Sequence, residues 1–284
     1  MTGADITLTR EPGKSGRAIA AAKAEGRAAF IGYLPVGYPT VELSVAAMTM
    51  LARGQHSAGA DIVEIGIPYS DPMLDGPVIQ RAGNDALRGG VRTRDVFTAA
   101  EAVATAGAVP VTMTYWNLVE QYGVDAFARD FANAGGAGLI TPDLTPDEAE
   151  EWLAASEKYD LERIFLVAPS STDERIISTV EHCRGWVYAT AVMGVTGTRT
   201  STSAAGEELV ARLRALTPDV LVGLGLGVSD GDQAATVAGY ADAVIVGSAL
   251  VKTLLAAVDA GNPGDLSAMA AVVDDLAEGV RRKH

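Results

Sequence analysis

A chain of 284 residues exceeds one average domain, yet it falls within the length that α/β barrels fill as a single unit. Hydrophobic residues make up 48% of it, with 31 glycines and only 6% aromatics, so a large core of small and aliphatic side chains is available. The formal charge of −14, from 22 Lys plus Arg against 36 Asp plus Glu, repels nucleic-acid backbones and anionic lipid, but leaves open a small phosphate ester held by backbone N–H groups.

Residues 1–11 read as a flexible tail, and 12–26 as a helix covering one end of the domain. Then short aliphatic runs alternate with helical patterns. A strand at 29–34 precedes a helix at 41–57, and a strand at 61–65 opens a Pro- and Gly-rich loop ahead of a helix at 93–106. Strands at 109–114, 138–141 and 163–167 alternate with helices at 125–134, 146–158 and 173–182. Strands at 187–190, 220–222 and 243–246 come next, with helices at 206–216, 230–238, 248–260 and 265–282. The strand runs are continuously apolar rather than alternating, as expected of strands buried on both faces. Helix starts carry their own signals: Thr145-Pro146-Asp147-Glu148, Ser171-Thr172-Asp173 and Ser229-Asp230 offer capping oxygens and first-turn acids. Eight strand–helix units with short connections predict a single-domain α/β protein, a (β/α)8 TIM barrel over residues 1–284 with the extra N-terminal helix across the barrel bottom. A doubly wound open sheet is the runner-up.

Cys183 is the only cysteine, which excludes an intrachain disulfide and a cysteine metal cluster. His56, His182 and His284 show no ligand spacing and read as surface residues, so no metal is expected. No basic stretch precedes an apolar core at the N-terminus, and no apolar run approaches the ~20 residues of a membrane span. A cytoplasmic protein is expected.

In such a barrel, chemistry belongs at the C-terminal ends of the strands. Residues 64–80 are the densest stretch there. Glu64 shares a strand face with Ile62 and Gly66, so it points into the barrel, where desolvation raises a carboxyl pKa toward the range useful for proton transfer. Asp75 stands on a loop long enough to fold back over the strand end, giving two carboxyls with separable roles. The bland alternative pairs Glu64 with a buried cation and uses Asp71 or Asp75 to cap the next helix. Gly225-x-Gly227 ahead of Ser229, and Gly247-Ser248 at the head of the last barrel helix, are the loops after strands seven and eight, where barrels often bind phosphate. Each alone also reads as a tight turn. Residues 194–200 form a small loop with glycines at 194 and 197, suited to a hinged lid or to a plain connection. Tyr33, Met113, Tyr115, Tyr188 and Leu226 stand at or near strand ends as candidate pocket walls or ordinary core.

Residues 64–80, with Tyr115-Trp116-Asn117, Gly194-Val195-Thr196-Gly197, the loop at 225–229 and Gly247-Ser248, resemble the tryptophan synthase α subunit family from about Gly16 onward. The resemblance implies retro-aldol cleavage of indole-3-glycerol phosphate to indole and glyceraldehyde 3-phosphate. Glu64 would be the acid–base, and Asp75 would stabilise charge on the indole nitrogen. Gly197, Gly227, Gly247 and Ser248 would cradle phosphate, and Thr196 would meet Asp75 when the lid closes. The resemblance also implies a pyridoxal-phosphate β subunit in an α2β2 complex, touched through Pro68, Asp71 and Asn117, with no cofactor in this chain. Arg199 either steers phosphate or is simply solvated. Tyr33 and Leu226 depart from the Phe of better-known members, and Val192-Met193 from their Arg-Ser. Other phosphate-sugar barrels fit less well, because no strand carries a catalytic Lys and strands one and five lack terminal Asp. A non-enzymatic activator of the partner has no use for both Glu64 and Asp75.

Overall fold

The computed structural model describes residues 11–56, 58–191 and 199–282. Helix α1 (Lys14–Ala24) leads into β1 (Ala29–Pro35), α2 (Val41–Arg53) and β2 (Ile62–Gly66). Next come α3 (Pro77–Arg88), α4 (Asp95–Ala106), β3 (Val109–Met113), α5 (Trp116–Tyr122), α6 (Val124–Asn133) and β4 (Gly138–Ile140). A 3-10 turn (Pro146–Glu148) precedes α7 (Glu150–Lys158), β5 (Glu162–Ile164), β6 (Leu166–Val167), α8 (Asp173–His182) and β7 (Val187–Thr190). The chain continues through α9 (Arg199–Leu216), β8 (Val222–Gly225), α10 (Gly231–Ala238), β9 (Ala243–Val246), α11 (Ser248–Asp259) and α12 (Ser267–Gly279).

All nine strands pair in parallel, in the order β5-β4-β3-β2-β1-β9-β8-β7-β6. The two ends of that order, β5 and β6, are one strand interrupted at Phe165. Its carbonyls cross the gap: Arg163 accepts from Arg184 N–H at 3.0 Å and Phe165 from Tyr188 N–H at 3.1 Å. The ring therefore closes, and the predicted (β/α)8 barrel is what forms, with its fifth strand in two pieces.

Alternation along each strand sorts side chains into two apolar layers. Ile31, Ile62, Val111, Ile140, Ile164 and Ile245 fill the barrel, while Val63, Ile65, Phe165, Val187, Leu224 and Val244 pack outward against the helices. Burying an aliphatic side chain of this size contributes roughly 1.5–3 kcal/mol, so both layers stabilise closure. Ile19 and Ala22 of α1 enter the inner layer from below, which confirms that α1 covers the barrel bottom.

Glu162 fastens that cover. Fully buried on β5, its carboxylate accepts from Ser15 N–H (2.8 Å), Ser15 Oγ (2.6 Å) and Gly16 N–H (2.8 Å). Ser15 Oγ in turn accepts from Trp186 Nε1 at 2.9 Å. The carboxylate serves the exposed amides at the head of α1 as a cap supplied from a distant strand.

Several expected boundaries move. Gly54, at φ 68°, ends α2 before residue 57. Thr145 does not cap a helix: its hydroxyl donates to Glu148 at 3.2 Å, and a 3-10 turn intervenes before α7. Thr172 and Asp230 do cap, accepting from Arg175 and Gln233 N–H. Helix α9 begins at Arg199, well before residue 206, so Arg199 and Thr200 belong to a helix rather than to a lid loop. Helices α3 and α5 have no counterpart among the expected elements. Residues 1–10 of the expected tail lie outside the described residues.

Removing the Glu162 acceptor strands three buried donors, each worth about 1–3 kcal/mol when unsatisfied. Glu162→Ala should lower stability in urea unfolding by about 3 kcal/mol or more, and Glu162→Gln, which keeps an acceptor oxygen, by clearly less.

Candidate active site

Strand β2 runs Ile-Val-Glu-Ile-Gly, and its pleat turns Ile62, Glu64 and Gly66 inward while Val63 and Ile65 face the helices. Glu64 pairs in register with Tyr33 of β1 and Val111 of β3. It is 1% exposed, and its Oε2 has no hydrogen-bond partner. Among the described residues no cation neutralises it, which disposes of the ion-pair reading. Burial pushes its pKa up to about 8, helped by the negative charge of Asp75.

The loop between Gly66 and α3 brings Asp75 back over this strand end. Tyr115, at the head of α5, accepts from the N–H groups of Met73 (2.8 Å) and Leu74 (3.1 Å), while its ring stacks on Tyr69 at 4.8 Å. Trp116 N–H donates to the Asp143 carboxylate at 3.0 and 3.1 Å, fixing the α5 terminus that carries Tyr115. On the other side, Gln80 Nε2 donates to the Asp75 carbonyl at 2.8 Å. The Asp75 side chain is spared for the site, since α3 is capped at Gly76 without any side-chain bond, by Asp71 or by Asp75. Burial raises the Asp75 pKa to about 6. At neutral pH the pair is therefore split, with Glu64 holding a proton and Asp75 charged.

Tyr33 and Tyr188 are half-buried at the same mouth, and both phenols are pushed well above their ordinary pKa by burial and by the two carboxyls. Met113 ends β3 within the inner layer. Leu226 leans outward toward Gly206 of α9 instead and packs with the outer layer. Tyr115 is buried behind the Asp75 loop and acts on that loop, not as an open wall.

The two glycine loops differ. Gly227, at φ 83°, takes the left-handed turn that only glycine adopts freely. However, α10 starts at Gly231 rather than Ser229, and acids already hold its amides: Asp230 takes Gln233 N–H at 2.9 Å and Asp275 takes Gly231 N–H at 2.7 Å. Helix α11 starts at Ser248 behind Gly247 with no side-chain cap, leaving its first amides and positive dipole end open to an anion. Gly197 and Thr196, with Val192 and Met193, lie outside the described residues.

Asp71 and Asn117 are exposed, whereas Pro68 is buried against α3. The chain turns inward at Ile67-Pro68 before it emerges. The surface that emerges is apolar and absent from the sequence-based expectations: Met73 is 73% and Leu74 53% exposed, on the loop that carries Asp75. Their aliphatic character inside a loop is the signal that could have found them. Two further hollows, of about 500 and 750 Å3, lie at the opposite rim beside Trp186 and beside Arg27, away from the carboxyls. Among the described residues no helix is long and apolar enough to cross a membrane.

A closed parallel barrel with two buried carboxyls gathered at the C-terminal ends of its strands is the architecture of a barrel enzyme. Residues 19–280 match the family model described as tryptophan synthase alpha chain. The tryptophan synthase alpha chain of Salinispora arenicola is 61% identical over 260 residues, 92% of this chain and 95% of that one. That of Mycobacterium tuberculosis (strain H37Ra) is 56% identical over 271 residues, covering 95% and 96%. A solved Mycobacterium tuberculosis tryptophan synthase structure superposes with a TM-score of 0.87 at 56% identity, over 96% of this chain and 100% of that one. The chain belongs to the tryptophan synthase α chain family. It is a carbon–carbon lyase that cleaves indole-3-glycerol phosphate, with indole passing to a β-subunit partner.

The folded chain keeps the Glu64 proton up to about pH 8, whereas the unfolded chain releases it near 4.5. Between these values the unfolded state binds fewer protons, so stability falls as pH rises through that window. Glu64→Gln should be the more stable protein near pH 9, by on the order of a few kcal/mol, and the two unfolding curves should converge below about pH 4.

Proposed function

We propose that Glu64 and Asp75 divide the acid–base work of the cleavage. C3 of the indole ring is a poor leaving group as a carbanion and must first be protonated. Glu64, which holds a proton at neutral pH, supplies it. Positive charge then develops at the ring nitrogen, where the Asp75 carboxylate stabilises it. Glu64, now ionised, removes the proton of the side-chain hydroxyl next to the ring. The carbon–carbon bond breaks, its electron pair returns to the ring system, and the carbinol becomes the aldehyde of glyceraldehyde 3-phosphate. The single observation that carries this reading is the unpartnered Glu64 carboxyl inside the barrel, with Asp75 folded over it.

Phosphate binds at Gly247 and Ser248, where α11 presents free amides, with Gly227 and Gly197 completing the cradle. Tyr33, Met113 and Tyr188 wall the indole pocket, and Leu226 borders it. Tyr115 contributes by holding the Asp75 loop. The β subunit docks on Asp71 and Asn117, and the exposed Met73 and Leu74 extend that surface. The complex is an α2β2 heterotetramer in the cytoplasm, and residues 1–284 act as one barrel domain. This chain needs no cofactor, and pyridoxal phosphate resides in the partner.

Glu64→Gln should fold and bind substrate but release indole at least about 10²-fold more slowly, assayed with the β subunit present. Substantial indole formation by that variant would overturn the assignment. The parent should show a bell-shaped kcat/KM profile, rising through about pH 6 as Asp75 ionises and falling through about pH 8 as Glu64 loses its proton. Asp75→Asn should abolish the rising limb.

A further inference from the structure

Strand order carries information that the carboxyl pair does not. Strand β1 lies between β2, which holds Glu64, and β9, which delivers Gly247 to the head of α11. A substrate with its reacting carbon at Glu64 and its phosphate at α11 must lay the connecting chain across β1. The inward residue at that level of β1 is Tyr33, opposite Glu64 in register.

The ring of Tyr33 is seated between glycines of both neighbouring strand ends. A side chain at Gly66 would collide with its hydroxyl end, and one at Gly247 would meet Cδ1 at 3.2 Å. The hydroxyl is thereby set on the Glu64 side and the base of the ring on the phosphate side. No described residue makes a hydrogen bond to this hydroxyl, although it is half-buried beside two carboxyls. The hydroxyl keeps access to the mouth, so a substrate oxygen can take the place of water on it. The indole ring offers one polar atom, its N–H, which is the partner of Asp75. The hydroxyl-bearing chain between ring and phosphate offers oxygens at the level of β1.

We infer that the Tyr33 hydroxyl is a specificity-determining group that hydrogen-bonds a chain hydroxyl of the substrate, selecting the glycerol side chain over a bare alkyl one. The inference rests on the Glu64–Asp75 mouth being the cleavage site. Tyr33→Phe keeps the ring in its glycine slot and removes only the oxygen, so the barrel should be undisturbed. One lost hydrogen bond of this kind corresponds to about three- to tenfold in binding. It acts on bound substrate and transition state alike, so the loss should fall on KM with kcat nearly unchanged.

The test compares two ligands, with the β subunit present throughout. One is indole-3-glycerol phosphate. The other is the phosphate ester of 3-(indol-3-yl)propanol, which keeps ring and phosphate but lacks both chain hydroxyls, used as a competitive inhibitor. Tyr33→Phe should raise KM for the first about three- to tenfold and leave the inhibition constant of the second unchanged. Equal weakening of both ligands, or no change in either, would overturn the inference. Glu64→Gln run alongside reports separately on the cleavage site: if it still turned over, the site assignment would fail whatever Tyr33→Phe did.

Discussion

A carboxyl group enclosed by isoleucines and valines is costly in its charged form, and among the described residues two stand on the inner face of barrel strands, Glu64 and Glu162. At the bottom, Glu162 meets that cost with three hydrogen bonds from the head of α1 and becomes the fastening between cover and strand. At the mouth, Glu64 has an oxygen with no partner at all, so it answers by keeping its proton. The same residue type on strands of the same barrel is thus bonded where donors surround it and protonated where they are withheld. The rest of the mouth is arranged to keep Glu64 unpaired while letting one acid come near.

That acid comes near by indirect means. Asp75 stands on a stretch with no strand or helix of its own, and its placement depends on a phenol from α5 that receives two backbone N–H groups. The tyrosine is in turn set by a helix start tied to Asp143. A loop residue gains the positional accuracy of a secondary-structure element in this way, because each link is a hydrogen bond to backbone rather than to a mobile side-chain tip. A similar division appears at the helix starts facing the mouth. Helix α10 spends its amides on its cap Asp230 and on Asp275 of α12, and α11 leaves them open.

Much of this is legible from the residues. Uninterrupted aliphatic runs identify the barrel strands, and an acid within one of them, ahead of a Pro- and Gly-rich loop, singles out Glu64 and Asp75. The obscure parts have physical causes. Helix α5 is seven residues long and aromatic at both ends, too short for a helical period to emerge. Helix α3 has no capping side chain, and only Pro77 at its start announces it. Ser229-Asp230 displays a good cap, but the same carboxylate that caps α10 removes it as an anion site, a conflict visible only once the bonds are known. Pro68 looks like loop surface because sequence does not reveal that the chain dips against α3 before rising to Met73. Tyr115 reads as a pocket wall because its hydroxyl's partners are backbone atoms some forty residues away.

The interruption of the fifth strand has a consequence beyond geometry. Open parallel sheets end in strands whose outer N–H and C=O groups are free to recruit another chain. Here the two terminal strands of the order are halves of one segment, and the carbonyls of Arg163 and Phe165 are taken up by Arg184 and Tyr188. Among the described residues the sheet accordingly has no long exposed edge on which a second copy could template itself. For a chain with 48% hydrophobic residues, that closure is a safeguard against aggregation as much as a scaffold for catalysis.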